Sequence, residues 1–263
     1  MRYLIGIDIG TSATKTVLFD ERCHVVTSAS QEYPLYQPQN GWAEQEPLDW
    51  YNAVLVTIRK VVKDSGVAPE DIKGIGLSGQ MHGLVMLDEK NEVIRPSIIW
   101  CDQRTGKECE EITERVGRKR LIEITANPAL TGFTASKILW VRNHEAENYR
   151  RCRHILLPKD YIRFRMTGEY ATEVSDASGM QLLDIPHRCW SDEVLEKLEI
   201  DKALLPYARN EIYARHGYSF TKSNFKAYFA DKSWYSAGGF STKDLNDVEW
   251  YNMELIAWVE KNG

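Results

Sequence analysis

Three β-like runs open the chain, Tyr3 to Ile9, Thr14 to Phe19 and Val25 to Glu32. Gly10-Thr11-Ser12 and Asp20-Glu21-Arg22 separate them, and connections this tight predict an antiparallel meander. After Pro47 the period changes. Trp50, Val54, Ile58, Val61 and Val62 recur at three- and four-residue steps, the pattern of an amphipathic helix, with Gly66 and Pro69 marking its end. Ile72 to Leu77 is again a short apolar run flanked by glycine. Strand, helix and strand in that order predict a crossover onto one sheet, so the fold class is α/β. Leu84 to Leu87 and Ile98 to Trp100 add two strand candidates around the turn Asp88-Glu89-Lys90-Asn91. From Thr105 to about Met166 the pattern is mostly helical, interrupted at Asn127-Pro128 and Leu157-Pro158.

Composition changes the picture near Pro206. Residues 207–263 hold 13 of the 28 aromatic residues of a 263-residue chain, a rise in density that signals a domain boundary. Thr242 to Lys261 places Leu245, Val248, Leu255, Ile256 and Val259 near one helical face, so the tail is expected to be a small, mainly helical module. The formal charge of −5 comes without a long single-sign run, so neither a nucleic-acid surface nor a polybasic membrane contact is expected. The N-terminus reaches Asp8 after too short an apolar run for a signal peptide, and no stretch approaches the roughly 18 apolar residues of a membrane span. A cytoplasmic location is the expectation. Five scattered cysteines without a CxxC pair are expected to be reduced thiols.

The candidate chemistry lies at strand ends. Gly6 to Lys15 is a strand running into a glycine-hydroxyl turn. Gly10 permits close approach, the Thr11 and Ser12 hydroxyls and the backbone N–H groups can donate to phosphate oxygens, and Lys15 can offset their charge. Asp8 can hold a hydrated Mg²⁺ beside them. This is neither a Walker A loop nor a GxGxxG fingerprint, and an ordinary β-hairpin also fits it. Ser78-Gly79-Gln80-Met81-His82-Gly83 follows the Ile72 to Leu77 strand, where ligands bind in α/β sheets. Gln80 and His82 can hydrogen-bond hydroxyls and Met81 offers an apolar edge; a plain turn with an exposed histidine is the alternative. Trp100, Asp102 and Arg104 form either an aromatic wall with a charged pair, or a core tryptophan beside a surface ion pair. The polar groups around Lys159-Asp160-Tyr161 and Thr172 to Gly179 also suit capping and turns.

Taken together, Gly6 to Lys15, Gly41 to Pro47, Ser78 to Gly83, Trp100 to Arg104, Leu157 to Tyr161 and Ser175 to Gly179 resemble the FGGY family of carbohydrate kinases across about residues 1–205. The stretch SGQMHG narrows the resemblance to pentulose kinases of the xylulokinase type. The family implies a ribonuclease-H-like (actin/hexokinase-type) first domain that binds the sugar, and a second such domain carrying most of the nucleotide site. It implies phosphoryl transfer from ATP, with Mg²⁺, to a ketopentose, xylulose foremost. By the same resemblance Asp8 is the Mg²⁺-proximal catalytic carboxylate, while Gly10, Thr11, Ser12 and Lys15 belong to the phosphate motif. Met81 and His82 contact the ketose, with Gln80, Trp100, Asp102 and Arg104 on the substrate side.

After Pro206 the family would continue to a glycine-rich segment whose aspartate is the general base, and the sequence instead reads Tyr207 to Tyr218. With Tyr213-Ala214-Arg215-His216-Gly217, residues 206–263 resemble the YARHG domain, a small bacterial module. The expectation is a sugar-binding domain joined to this module, catalytically incomplete by itself. A non-catalytic sugar-binding or interaction protein, a recombined gene product, and a homodimer in which another chain completes the site remain as alternatives.

Overall fold

A computed structural model describes residues 1–208, together with Gly238. The chain divides into two compact units, Met1–Ala208 and Arg209–Gly263. The C-terminal module and its Thr242 to Lys261 helix lie outside the described residues.

The opening meander is present as β1 (Tyr3–Ile9), β2 (Ala13–Asp20) and β3 (Val25–Glu32). β1 pairs antiparallel with β2, and β2 with β3. Ile5, Ile7 and Ile9 are buried while Leu4 and Asp8 are exposed, the period of two that a one-sided strand requires. Between β2 and β3 the Asp20 carboxylate accepts the N–H groups of Arg22 and His24, each at 2.9 Å, and so closes the turn through its own side chain.

β4 (Glu44–Gln45) leads into α1 (Pro47–Ser65), which buries Trp50, Val54, Thr57 and Val61 against β2 and β3. Pro47 starts the helix where no N–H is needed, and Gly66 ends it at φ 65° with its N–H on the Lys63 carbonyl. Across the buried face the hydroxyls of Thr16 and Thr57 meet at 2.7 Å. The chain then returns as β5 (Ile72–Gly79), parallel to β1, which is the crossover expected from the order of elements. The sheet order is β3-β2-β1-β5, so among the described residues β5 has one sheet neighbour.

The rest of the unit is a helical layer stitched by short strand pairs. β6 (Val85–Leu87), β7 (Ser97–Ile98), α2 (Gly106–Val116), α3 (Arg118–Thr125), α4 (Thr134–His144) and α5 (Ala146–Arg151) come first. β8 (His154–Leu156), α6 (Pro158–Thr167), β9 (Ala171–Thr172), α7 (Val174–Ser178), β10 (Leu183–Asp184), β11 (Cys189–Trp190), α8 (Asp192–Leu198) and β12 (Tyr207–Ala208) complete it. β4 pairs with β7, β6 with β8, β9 with β12 and β10 with β11. One apolar core lies between α1 and the main sheet, and a second gathers Ile112, Leu121, Ile138, Leu139 and Leu195 among the helices.

Two expectations need correction. The stretch expected to be helical as far as Met166 contains β8, whose three residues pair antiparallel with β6 and are too few to show a period of their own. The strand expected over Ile98 to Trp100 ends at Ile98. Asp102 turns the chain there, its N–H on the Ile99 carbonyl and its carboxylate on the Ala43 N–H at 2.6 Å, and Trp100 leaves the sheet 46% exposed.

Candidate functional site

Two neighbouring strand ends build the site. β1 runs into Gly10-Thr11-Ser12, and β5, parallel beside it, runs into Gln80-Met81-His82-Gly83. The register sets Asp8 opposite Ser78 on β5 and opposite Lys15 on β2. Gly10 closes its turn with its N–H on the Ala13 carbonyl, and an added Cβ there would lie 3.0 Å from that oxygen. An open groove of about 400 Å³ crosses the sheet beside this turn, lined by Asp8, Lys15, Val17, Phe19, Gly76 and Ser78 among others.

Side-chain amides lock the two turns together. The Gln80 N–H donates to the Ile9 carbonyl at 2.7 Å, and its side-chain amide donates to Gln45 Oε1 at 2.9 Å and to the Gly10 carbonyl at 3.5 Å. Gln45 in turn donates to the Thr11 carbonyl at 2.7 Å and accepts from Trp50 Nε1 at 3.2 Å. The Tyr33 hydroxyl donates to the Gly10 carbonyl, and burial pushes that phenol up to about 12. Trp100 Nε1 donates to Thr11 Oγ1 at 2.9 Å. An indole N–H only donates, so Thr11 accepts here and keeps its own hydroxyl proton for another acceptor.

Gln80, Met81 and His82 therefore share a frame with Gly10, Thr11 and Trp100. Met81 is 50% exposed. His82 has φ 65°, and the Gly83 N–H closes the turn on the Met81 carbonyl at 2.9 Å, a three-residue turn of the rare strained kind. Its ring packs edge-on to Phe133 at 4.8 Å between centroids, with Nδ1 3.2 Å from the Gly179 carbonyl. Burial first, then the charge of Lys137, pulls the imidazole down to about 4, against the opposing pull of the Gly179 carbonyl.

Asp102 and Arg104 are placed differently. Both are buried, and the carboxylate accepts from Arg104 Nη2 at 2.7 Å as well as from the Ala43 N–H. The guanidinium lies 3.7 Å from the Trp42 ring and reaches Glu44 Oε1 at 2.7 Å, an oxygen that also takes Arg95 Nη2 at 2.6 Å. The pair holds the segment bearing Trp100 against β4.

Lys137 is the residue sequence reasoning missed. It is fully buried in α4, and Nζ donates to the carbonyls of His82 at 3.2 Å, Phe133 at 3.3 Å and Gly132. Burial pulls the amine down to about 7, opposed by the Asp102 carboxylate. Its one signal is a cation inside the apolar run Ala135 to Val141. Gln45 and Tyr33 were likewise invisible as partners, because their contacts lie tens of residues away.

Residues 3–223 match the model of the FGGY family of carbohydrate kinases, N-terminal domain, and residues 190–261 match the YARHG domain. The chain is 45% identical to the xylulose kinase of Bacillus subtilis over 206 residues, 78% of this chain and 41% of that relative. It is 40% identical to the Escherichia coli xylulose kinase over 210 residues, 79% and 43% of the two chains. A ligand-bound xylulose kinase from Lactobacillus acidophilus matches with a TM-score of 0.75 at 29% identity, over 90% of this chain and 48% of the other. The chain spans about two fifths of the length of these curated relatives.

Proposed function

The chain belongs to the FGGY family of carbohydrate kinases, and from that membership we propose that residues 1–205 form the sugar-binding part of a xylulokinase-type site. In this reading the site serves transfer of the γ-phosphoryl group of ATP to a hydroxyl of D-xylulose or a similar ketopentose. The observation that carries it is the hydrogen-bonded frame of Gln80 and Gln45, which sets the phosphate-type turn beside the histidine turn at one sheet edge.

Phosphoryl transfer needs positioned reactants, neutralised charge and an acceptor for the hydroxyl proton. Met81 gives the ketose an apolar edge, His82 gives a hydrogen bond, Gln80 fixes the turn that carries both, and Trp100 gives a wall held in place by Asp102 and Arg104. Gly10, whose N–H is spent on the Ala13 carbonyl, leaves room for close approach, Ser12 and the free Thr11 hydroxyl proton take phosphate oxygens, and Lys15 offsets their charge. Kinases of this family use ATP, and Asp8 fits the accompanying Mg²⁺. Its carboxylate has no hydrogen-bond or ion-pair partner among the described residues, and Mg²⁺ is ordinarily held by one or two carboxylates, waters and phosphates. When bound, the ion supplies charge neutralisation on the phosphates.

The proton acceptor is another matter. Residues 206–263 hold no glycine-flanked aspartate; Asp231, Asp244 and Asp247 have other neighbours. General-base help is worth typically 10²–10⁴-fold, and closure of a nucleotide-binding half aligns the reactants. For residues 1–263 taken by themselves, the reading is therefore sugar binding with little turnover. The domain boundary is placed at about residue 206, which the division into two units at Ala208 supports.

Calorimetric titration with D-xylulose, run beside an ADP-release assay with Mg²⁺, tests this reading. Sugar binding is expected, with turnover well below the ordinary 1–10³ s⁻¹ or so. Ordinary turnover that vanishes in Asp8→Asn would overturn the incompleteness, and absence of sugar binding would overturn the site.

A further inference from the structure

His82 is gripped on three sides. Its carbonyl accepts from both Thr134 Oγ1 at 3.1 Å and Lys137 Nζ at 3.2 Å, which holds the strained turn in place. One flank of the ring meets Phe133. Gly179 occupies another, and its space is the point: a Cβ built on Gly179 would lie 2.1 Å from His82 Nδ1 and 2.2 Å from Cε1. Gly179 has an ordinary φ of −76°, so the requirement for glycine comes from the ring and not from the backbone.

The partner of Nδ1 decides the ring's chemistry. A carbonyl oxygen can only accept, and the Gly179 carbonyl already takes the Thr134 N–H at 3.4 Å. Nδ1 at 3.2 Å must therefore carry a proton. Nε2 meets no partner among the described residues. On the reading of the site given above, on which this step rests, we propose that Gly179 and Lys137 are positioning residues that lock His82 as the Nδ1–H tautomer. Nε2 is thereby left as a lone-pair acceptor for a sugar hydroxyl. Burial and the neighbouring Lys137 keep the ring neutral well below pH 7, so the acceptor persists across the physiological range. A histidine bonded the other way would offer an N–H, and the same hydroxyl would then have to accept instead of donate.

Long-range ¹H–¹⁵N spectra of the full chain labelled with ¹⁵N-histidine read the tautomer directly. His82→Gln identifies the His82 signals among the six histidines. At pH 7 the wild type is expected to show a protonated Nδ1 and an unprotonated Nε2, unchanged down to about pH 5. Gly179→Ala and Lys137→Met, each checked for folding by circular dichroism, are expected to lose this signature and titrate near the ordinary histidine value. Addition of D-xylulose should shift Nε2 and leave Nδ1 nearly still. An Nε2–H or doubly protonated ring in the wild type at pH 7 overturns the inference, whether or not sugar binds. So does the wild-type signature persisting in both variants; should Gly179→Ala fail to fold, Lys137→Met and the wild-type spectrum still decide. A locked tautomer in a chain that shows no calorimetric sugar binding counts against the site reading, and the lock stands.

Discussion

Asp160 is a carboxyl with nowhere to put a charge. It lies fully buried at the start of α6, and its Oδ2 has no hydrogen-bond partner. Burial pushes it up to about 7, with the nearby Thr172 side chain opposing and the charge of Asp176 adding to the rise. Between its unfolded value near 3.8 and about 7 the folded chain holds a proton that the unfolded chain lacks. This contribution is therefore complete below about pH 4 and is lost as pH rises through 7. Asp160→Asn should flatten that slope. At pH 8 the variant is expected to gain about 1 kcal/mol, roughly 2–4 °C in Tm, with no gain at pH 4. Thermal melts of both chains from pH 4 to 8 decide it, and parallel curves would refute the account. Gly83 makes a steric counterpart. A Cβ there would sit 2.6 Å from Pro158 Cγ, at the first residue of α6, so Gly83→Ala should cost about 1–3 kcal/mol in urea unfolding.

The candidate site residues legible in the sequence were those on loops after apolar strands, where position alone raises a histidine or methionine above background. Lys137 was not among them. A lysine read in isolation belongs on the surface, and the carbonyls that make its burial tolerable come from His82, Gly132 and Phe133. Asp102 and Arg104 were legible as a pair, but their burial beneath Trp42 depends on packing that no local pattern encodes.

At the scale of elements, what could be read was what repeats. The alternation in β1 and the three- and four-residue steps of α1 run long enough to declare themselves, and the order around them fixed the parallel crossover onto β5. β8 is too short to repeat, and α4 is buried on every side over Thr134 to Val141, so it has no polar face to mark its period. The joint between β4 and the turn after β7 is electrostatic. Glu44 bridges Arg95 and Arg104, and Arg104 is the counter-ion of a fully buried Asp102. Removing one member of a buried pair leaves a stranded charge at a cost of about 3–5 kcal/mol. Arg104→Met should lower the urea midpoint accordingly and blunt D-xylulose binding by loosening Trp100. A loss under about 1 kcal/mol would mean that Asp102 finds another partner.

For the whole molecule, the aromatic shift at residue 207 and the division into units at Ala208 make one prediction about the joint. Brief proteolysis of the native chain should cut first between Leu205 and Arg215 and release a resistant fragment of about residues 1–205. Early cuts inside residues 10–190 would contradict the boundary.

The single-neighboured β5 bears on handling in solution. Along Ile72–Gly79 one row of backbone donors and acceptors has no sheet partner among the described residues, and Ile75 is 43% exposed beside Gly74 and Gly76. Such a rail is a template for any extended chain that drifts alongside, including another copy of itself. Shelf life then depends on concentration more than on folding free energy. Light scattering should rise on storage of concentrated protein well below its Tm, and Ile75→Lys, which plants a charge on the rail, should delay that rise without raising the Tm.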